Sequence, residues 1–180
     1  SDNGPEGGIK DGCTQGTAAI LKGRKRSLYE GGIRVPGIAV WPDMIKSPVI
    51  SSMPVVTSDY LPTVMDILNY DMPDAYPLDG ISLLPLFKGE QQERPTPIGF
   101  QSGKQQAFIG QRHKLYSLDQ GKTFELYDLI EDPSETEDLS VQLEDKKREM
   151  ADQLSNWIQS CKRSDEGKDY GVLQNLEVKN

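Results

Sequence analysis

The chain is poor in the residues on which most catalytic and structural metal sites depend. Its 180 residues include one histidine and two cysteines. Cys13 and Cys161 are too few and too far apart to predict a disulfide framework or a zinc site, so we expect two unpaired thiols. His113 has no base or ligand partner close to it in the sequence, and we expect a structural role for it.

Long apolar runs and clustered positive charge are also missing. No run approaches the ~20 apolar residues that a membrane-spanning helix needs. The net charge is -8 and the basic residues are dispersed, which argues against the basic footprint of a nucleic-acid-binding protein. We therefore expect neither a membrane nor nucleic acid as a partner. The 36% hydrophobic content is enough for one domain or two small lobes with a real core.

Periodicity in the second half predicts a small sheet and a long helix. Short runs at 98–100, 106–109, 114–118 and 124–128 are separated by turn residues, with Gly121 as the clearest hairpin marker, and predict an antiparallel meander. Apolar residues at helical spacing from Leu143 to Cys161 predict a helix whose apolar face covers the meander. After Lys162 the polar composition predicts a frayed or surface-lying end.

The first half is less regular. Dense glycine between residues 2 and 24 predicts a loop. Residues 37–41 are rich in apolar and β-branched side chains and predict a short buried strand near a sheet edge. Residues 57–69 show helical spacing and predict a helix packed on a sheet. We place a boundary at 89–96, which divides the chain into residues 1–90 and 91–180, with an α+β fold as a whole.

Three residues near the beginning could carry chemistry. Asp2 and Asn3 offer the hard oxygen ligands that Ca²⁺ and Mg²⁺ select, and Lys25 is a compact positive charge suited to a tetrahedral oxyanion. Each also has an ordinary structural explanation, as an Asp-Asn-Gly turn or as one member of a solvated basic cluster. Together they predict a metal-assisted hydrolase of a sulfate or phosphate ester.

Eight short motifs extend the pattern over nearly the whole chain, and in this order they resemble the sulfatase family of the alkaline phosphatase superfamily. They are Ser-Asp-Asn-Gly-Pro at 1–5, Gly-x-Lys at 23–25, Tyr-Glu-Gly-Gly-x-Arg-x-Pro at 29–36, Trp-Pro at 41–42, Ser-Asp-Tyr-Leu-Pro-Thr at 58–63, Asp-Gly-Ile-Ser-Leu at 79–83, Glu-Leu-Tyr-Asp-Leu at 125–129 and Asp-Pro-Ser-Glu-Thr at 132–136. The resemblance implies the C-terminal part of an α/β sulfatase fold, ending in a small antiparallel sheet covered by a long helix.

The resemblance also implies roles for individual residues. Asp2 and Asn3 match ligands of a divalent cation, usually Ca²⁺, and Lys25 matches the lysine that holds the sulfate. Arg26 stands where glycine is also common, so it either adds positive charge near the pocket or points outward. Glu30 and Arg34 match positions that we expect to be structural.

One departure from the family pattern is decisive for the expected activity. Sulfatases make a formylglycine nucleophile from Cys or Ser in a Cys/Ser-x-Pro-x-Arg motif, and this sequence contains none; the nearest approach, at 52–56, has valine in place of arginine. The N-terminal aspartates and histidines of the family's site are also missing. We therefore expect the C-terminal portion of an arylsulfatase-like enzyme, whose nucleophile lies upstream and which is inactive without its missing N-terminal part.

Two alternatives stay open at this point. The parent enzyme could be a phosphate or phosphonate monoester hydrolase of the same superfamily, or the chain could be a non-catalytic module that binds carbohydrate or protein. A severed lobe should expose an apolar patch that drives self-association or a partner contact, whereas a module should not. As a sulfatase, the parent would act on a sulfated small molecule or glycan, and the resemblance favours a secreted, periplasmic or lysosomal location.

Overall fold

A computed structural model describes residues 2–6, 16–72 and 77–170. The predictions for Cys13, for the part of the glycine-rich loop at 7–15 and for residues 171–180 concern positions outside this described part. The regular elements are α1 (Glu30–Ile33), a 3-10 turn (Thr57–Asp59), α2 (Tyr60–Ile67), α3 (Leu84–Phe87), β1 (Ile98–Ser102), β2 (Gln105–Ile109), β3 (His113–Ser117), β4 (Glu125–Asp128), α4 (Glu144–Asp165) and a 3-10 turn (Lys168–Tyr170).

The four strands form the predicted antiparallel meander, in the order β1-β2-β3-β4. Phe108 of β2 pairs with Leu115 of β3, which in turn pairs with Leu126 of β4. The tight turn between β1 and β2 includes Gly103 at a φ of +57°, a conformation that hairpin turns require and glycine adopts without strain. The α+β fold class, with a small sheet at the C-terminal side, is therefore confirmed.

Alternation along the strands gives the sheet two apolar faces. One face carries Phe108, Leu115 and Leu126, which pack with Met150 and Leu154 of α4. The opposite face carries Ala107, Tyr116 and Tyr127, which pack with Leu28, and with Tyr29 and Ile33 at the margin of the cluster. The sheet is therefore covered by α4 on one side and by the loop that contains Lys25 on the other.

The long helix α4 confirms the second prediction from periodicity. Acidic residues occupy its first turn and basic residues its last turn, both favourable to the helix dipole. Trp157 of α4 lies against Gly99 of β1, where an added Cβ atom would come within 2.3 Å of the indole ring. The indole Nε1 also donates a hydrogen bond to Asp79 Oδ1 at 3.0 Å, which ties α4 to the first half of the chain.

Of the two elements predicted for the first half, the strand is wrong and the helix is confirmed without the predicted packing on a sheet. Residues 37–41 form no strand, and Ile38 and Val40 are 90% and 82% exposed. A strand exists only when its backbone groups pair with a neighbouring strand, and no strand lies beside this segment in the described residues. The helix predicted over 57–69 is present as the 3-10 turn and α2, which ends at Ile67. In the described residues α2 contacts α3 and the 79–83 loop rather than a sheet, and its apolar residues Leu61 and Val64 are exposed.

None of the helices in the described ranges is both long enough and apolar enough to cross a membrane.

Candidate functional site

The structure brings the first residues of the chain alongside the loop that carries Lys25. The backbone N–H of Gly4 donates to Gly32 O at 2.8 Å, and that of Lys25 donates to Pro5 O at 3.2 Å. A Cβ atom on Gly4 would lie 1.9 Å from Gly31 O, so only glycine permits this approach. Asp2, exposed, and Asn3, half-buried, therefore begin a segment that is bonded to the Lys25 loop.

Lys25 contacts a carboxylate of the same segment. Its Nζ lies 3.2 Å from Glu6 Oε2, and Arg26 pairs with the other oxygen, Glu6 Oε1. The hydrogen bond from Lys25, and then that from Arg26, lowers the pKa of Glu6 below its usual value. The site thus presents two adjacent cations to one pair of anionic oxygens.

Two glycines of the Tyr-Glu-Gly-Gly motif make the loop compact. A Cβ atom on Gly31 would lie 2.4 Å from Gly23 O, and one on Gly32 would lie 2.0 Å from Ser27 O. The N–H of Gly31 donates to Lys22 O at 2.7 Å. The motif is therefore explained by backbone approach, which closes residues 22–32 into a fold that presents Lys25 at its surface.

A buried ion-pair triad attaches this loop to the sheet. Lys114 of β3 is fully buried, and its Nζ lies 3.0 Å from Glu30 Oε1 and 2.8 Å from Glu135 Oε1. Glu135 also accepts a hydrogen bond from the N–H of Glu30 at 2.7 Å through Oε2. Burial raises the pKa of Glu135, although Lys114 opposes the shift. Glu30 and Arg34, for which we expect structural roles, pair with each other: Arg34 Nη1 lies 3.7 Å from Glu30 Oε2.

Sequence reasoning missed this triad because its members are distant along the chain. A signal was available: Lys114 and Tyr116 are two residues apart on one predicted strand, so both point to the face that carries the loop. A lysine whose side chain points into a covered sheet face is buried, and a buried charge requires a partner of opposite charge such as a carboxylate. The two glutamates in the family-like motifs, Glu30 and Glu135, were the candidates.

Gln105 at the start of β2 holds the loop from the same side. Its Nε2 donates to Arg26 O at 2.8 Å, and its Oε1 accepts from the N–H of Leu28 at 3.0 Å and from the Tyr116 hydroxyl at 3.0 Å. The amide therefore bridges the backbone on both sides of Ser27. No sequence pattern indicated this role.

A layer of aromatic residues lies beneath the loop. The hydroxyls of Tyr29 and Tyr127 both donate to Glu125 Oε2 at 2.6 Å. Lys22 Nζ donates to the Tyr127 hydroxyl at 3.0 Å and lies 4.1 Å from the centroid of the Tyr29 ring. Burial, followed by the bond to Glu125, raises the pKa of both tyrosines, so they remain neutral donors that orient the loop.

A second buried ion pair joins Arg94 to Asp59, a residue that also connects the 58–63 and 79–83 motifs. Asp59 and Arg94 are both fully buried, with Arg94 Nη1 at 2.7 Å from Asp59 Oδ2 and Nη2 at 2.9 Å from Oδ1. Asp59 also accepts from the N–H of Val56 and of Ile81 at 2.9 Å. Burial opposes ionisation, but the bonds from Arg94 and the two N–H groups hold the pKa of Asp59 below its usual value.

The remaining residues considered from the sequence are His113 and Cys161, which lie away from the Lys25 loop. His113 is half-buried on β3, where burial lowers its pKa, and its structural role stays a prediction. Cys161 is unpaired, as expected, and burial raises the pKa of its thiol.

The donor set near Lys25 fits a hard divalent cation in type but not in number. Asp2 and Asn3 supply a carboxylate and an amide oxygen, whereas Ca²⁺ takes six to eight oxygen ligands. Across 2–6, 16–72 and 77–170, no group of three or more His, Cys, Asp or Glu side chains could hold a metal ion. These two residues could therefore complete a cation site to which further ligands belong.

Comparison with proteins of known sequence identifies the family. Residues 23–164 match the family described as N-sulphoglucosamine sulphohydrolase, C-terminal. The chain is 39% identical over 77 residues to human steryl-sulfatase, covering 43% of this chain and 13% of that protein. It is 30% identical over 161 residues to a sulfatase of Formosa agariphila, covering 77% of this chain and 29% of that protein. The chain thus spans less than a third of these relatives.

Solved structures show the same fold. The crystal structure of Ps i-CgsB superposes with a TM-score of 0.73 at 24% identity, over 97% of this chain and 40% of that one. A Bacteroides thetaiotaomicron structure from work on the metabolism of multiple glycosaminoglycans superposes with a TM-score of 0.67 at 23% identity, over 77% and 32% of the two chains. From the family match and these similarities, the chain belongs to the sulfatase family, in its N-sulphoglucosamine sulphohydrolase C-terminal group.

Proposed function

We propose that the chain is the C-terminal part of a sulfatase that hydrolyses a sulfate ester with a divalent cation and a formylglycine nucleophile located upstream. The observation that carries the proposal is the junction between the Asp2-Asn3 segment and the Lys25 loop. Backbone hydrogen bonds at Gly4 and Lys25 join two segments that are about two dozen residues apart. Family membership and the small share of each relative that the chain spans support it.

Each residue of the junction would act in a different way. The Lys25 ammonium would bind one sulfate oxygen and orient the ester, and the lysine would not need to gain or lose a proton. Asp2 and Asn3 would contribute two of the oxygen ligands of Ca²⁺ or Mg²⁺, and upstream residues would supply the rest. The cation, when bound, supplies positive charge that stabilises the developing charge on the ester oxygens. The hydrated formylglycine would supply the nucleophilic oxygen.

An exposed apolar segment supports the proposal that this chain contacts the N-terminal part of a longer enzyme. Its members are Ile38, Val40, Val49 and Ile50, which are 90%, 82%, 74% and 102% exposed. Exposed apolar groups clustered in one stretch mark a contact surface rather than a finished exterior. We propose that residues 1–90 belong to the catalytic domain and contact the upstream part of that domain through this apolar segment. Residues 91–180 would form a C-terminal subdomain. Alone, the chain should self-associate through this segment.

The same observation weighs against an independent binding module, which would cover its apolar surface. Family placement favours a sulfate ester over a phosphate or phosphonate monoester. The substrate would be a sulfated small molecule or glycan, and a secreted, periplasmic or lysosomal enzyme is proposed on family resemblance alone.

The test compares the chain with the parent enzyme, meaning the longer protein of which we propose it is the C-terminal part. The parent should hydrolyse an aryl sulfate faster than the matched aryl phosphate and should lose activity in a chelator. The 180-residue chain should show no turnover and no tight Ca²⁺ binding by calorimetry, because two ligands are too few. Turnover by the chain alone, or a parent that prefers the phosphate ester, would contradict the proposal.

A further inference from the structure

Arg26 has an unusual backbone conformation beside the candidate sulfate-binding lysine. Its φ is +76°, in the left-handed region that glycine adopts freely and that a long side chain adopts at a cost. Its side chain is 76% exposed, so burial of apolar surface does not offset that cost. A strained residue that persists at a candidate site is a reason to look for a functional role.

Neighbouring groups hold this conformation from two sides. Gln105 donates to Arg26 O at 2.8 Å and accepts from the N–H of Leu28 at 3.0 Å. The N–H of Ser27 donates to Arg24 O at 2.9 Å, which closes the turn around Lys25 and Arg26. The Arg26 guanidinium therefore projects from a fixed backbone rather than from a mobile surface loop.

The direction of that projection is shown by Glu6. Lys25 Nζ contacts one oxygen of this carboxylate at 3.2 Å, while Arg26 contacts the other. The two cations thus contact the two oxygens of one carboxylate, which places the Arg26 guanidinium beside the Lys25 ammonium. The Glu6 side chain is 51% exposed, and an ion pair in such surroundings contributes little to stability. It does not account for the strain at Arg26, and an incoming anion can displace it.

We propose that Arg26 is a specificity-determining residue that binds a second sulfate group of the substrate, beside the sulfate ester held by Lys25. The inference rests on the proposed function, because it takes Lys25 as the residue that binds the scissile sulfate. A guanidinium offers a planar fork of N–H donors that matches two oxygens of a sulfate, which an ammonium cannot do. Glu6 is then the internal counter-ion of this pair of cations in the absence of substrate.

The experiment measures binding of two heparin disaccharides, carrying one and two sulfate groups, to the parent enzyme by calorimetry in 0.15 M salt. Wild type should bind the disulfated sugar more tightly. Arg26→Gly should weaken that binding by about tenfold, as expected for loss of a charge-assisted hydrogen bond, and bring the two Kd values together. Arg26→Lys should restore part of the difference, because it keeps the charge without the fork.

Two further variants separate binding from folding. Glycine accepts the φ of Arg26 without strain, so R26G should keep or raise the unfolding temperature. Glu6→Gln should tighten binding of the disulfated sugar, because it removes the competing carboxylate, and misfolding cannot produce that gain. Arg148→Ala removes an exposed arginine of α4, on the far side of the sheet from the loop, and should leave both Kd values unchanged.

Each outcome decides a question. A difference between the two sugars that survives in R26G, or a wild type that binds neither, overturns the role of Arg26. A parent that binds the disulfated sugar through Arg26 but hydrolyses no sulfate ester overturns the proposed function and leaves the anion site standing.

Discussion

Replacing Lys114 by methionine tests whether the buried triad holds the lysine loop on the sheet. Within residues 2–6, 16–72 and 77–170, Lys114 is the one cation within ion-pair distance of Glu135, so the substitution leaves that carboxyl without an ion pair; Glu30 keeps the more distant, half-exposed Arg34. Breaking a buried ion pair by removing one partner costs about 3–5 kcal/mol. Because the substitution strands Glu135 and leaves Glu30 with a longer, partly exposed ion pair, we expect a loss of about 4 kcal/mol at pH 7.

The free-energy cost of protonating a stranded carboxylate is an upper bound on the stability that each such group can remove. It also makes the loss of stability depend on pH. Neutralising a carboxyl of ordinary pKa ~4.3 costs about 1.4 kcal/mol per pH unit above that value, or about 3.7 kcal/mol at pH 7 and about 1 kcal/mol at pH 5. Burial raises the pKa of Glu135 while Lys114 opposes the shift, so in the variant, without that cation, the folded-state pKa of Glu135 rises further above the unfolded value. The penalty is therefore present at high pH and is lost as the pH falls.

The assay is urea unfolding of the chain, followed by tryptophan fluorescence at pH 7 and pH 5. The difference between wild type and Lys114→Met should shrink by up to about 2.7 kcal/mol as Glu135 protonates in the variant. Lys104→Met, at an exposed turn position, should stay within about 0.5 kcal/mol of wild type. A loss below about 1 kcal/mol at pH 7, or one that is the same at both pH values, would refute the reasoning about a buried triad.

Three further predictions concern contacts within the fold, one of them beneath the Lys25 loop. Asp59→Asn should cost about 3–5 kcal/mol at neutral pH, because Arg94 stays buried without a counter-charge; since the pKa of Asp59 is lowered in the fold, urea unfolding should show that cost fading as the pH falls below about 4. Gly99→Ala should cost about 1–3 kcal/mol, because its Cβ atom overlaps the Trp157 ring, and should shift the fluorescence of that tryptophan. Gln105→Leu should speed hydrogen exchange at the amide of Leu28, whereas Gln105→Glu, which keeps the acceptor oxygen, should protect it.

The small sheet and α4 could be predicted because their evidence is local. Alternating side chains such as Phe108 and Leu115 belong to short segments that pair with their neighbours along the chain. The buried face of α4, which carries Met150 and Leu154, is predicted by apolar residues at helical spacing within one segment. Neither prediction required knowledge of a distant partner.

The contacts that shape the site depend on distant partners, which explains why they were missed. Lys114 and Glu30 are 84 positions apart, and Gln105 and Leu28 are 77 apart. The strand predicted at residues 37–41 was wrong for a related reason: local propensity favours a strand there, but a strand also needs a neighbouring strand to pair with. The placement of Lys25 beside the 2–6 segment followed from the motifs, whereas the means of holding it there did not.

The proposed function depends most directly on the role of Lys25 in holding the sulfate ester. The decisive measurement is kcat/KM for an aryl sulfate in the parent enzyme, compared between wild type, Lys25→Ala and the exposed control Lys104→Ala. We predict a loss of about 10²–10³-fold for Lys25→Ala, the range for removal of one donor to a developing oxyanion, with Lys104→Ala unchanged. A Lys25→Ala enzyme with the kcat/KM of wild type would contradict the proposed role of Lys25.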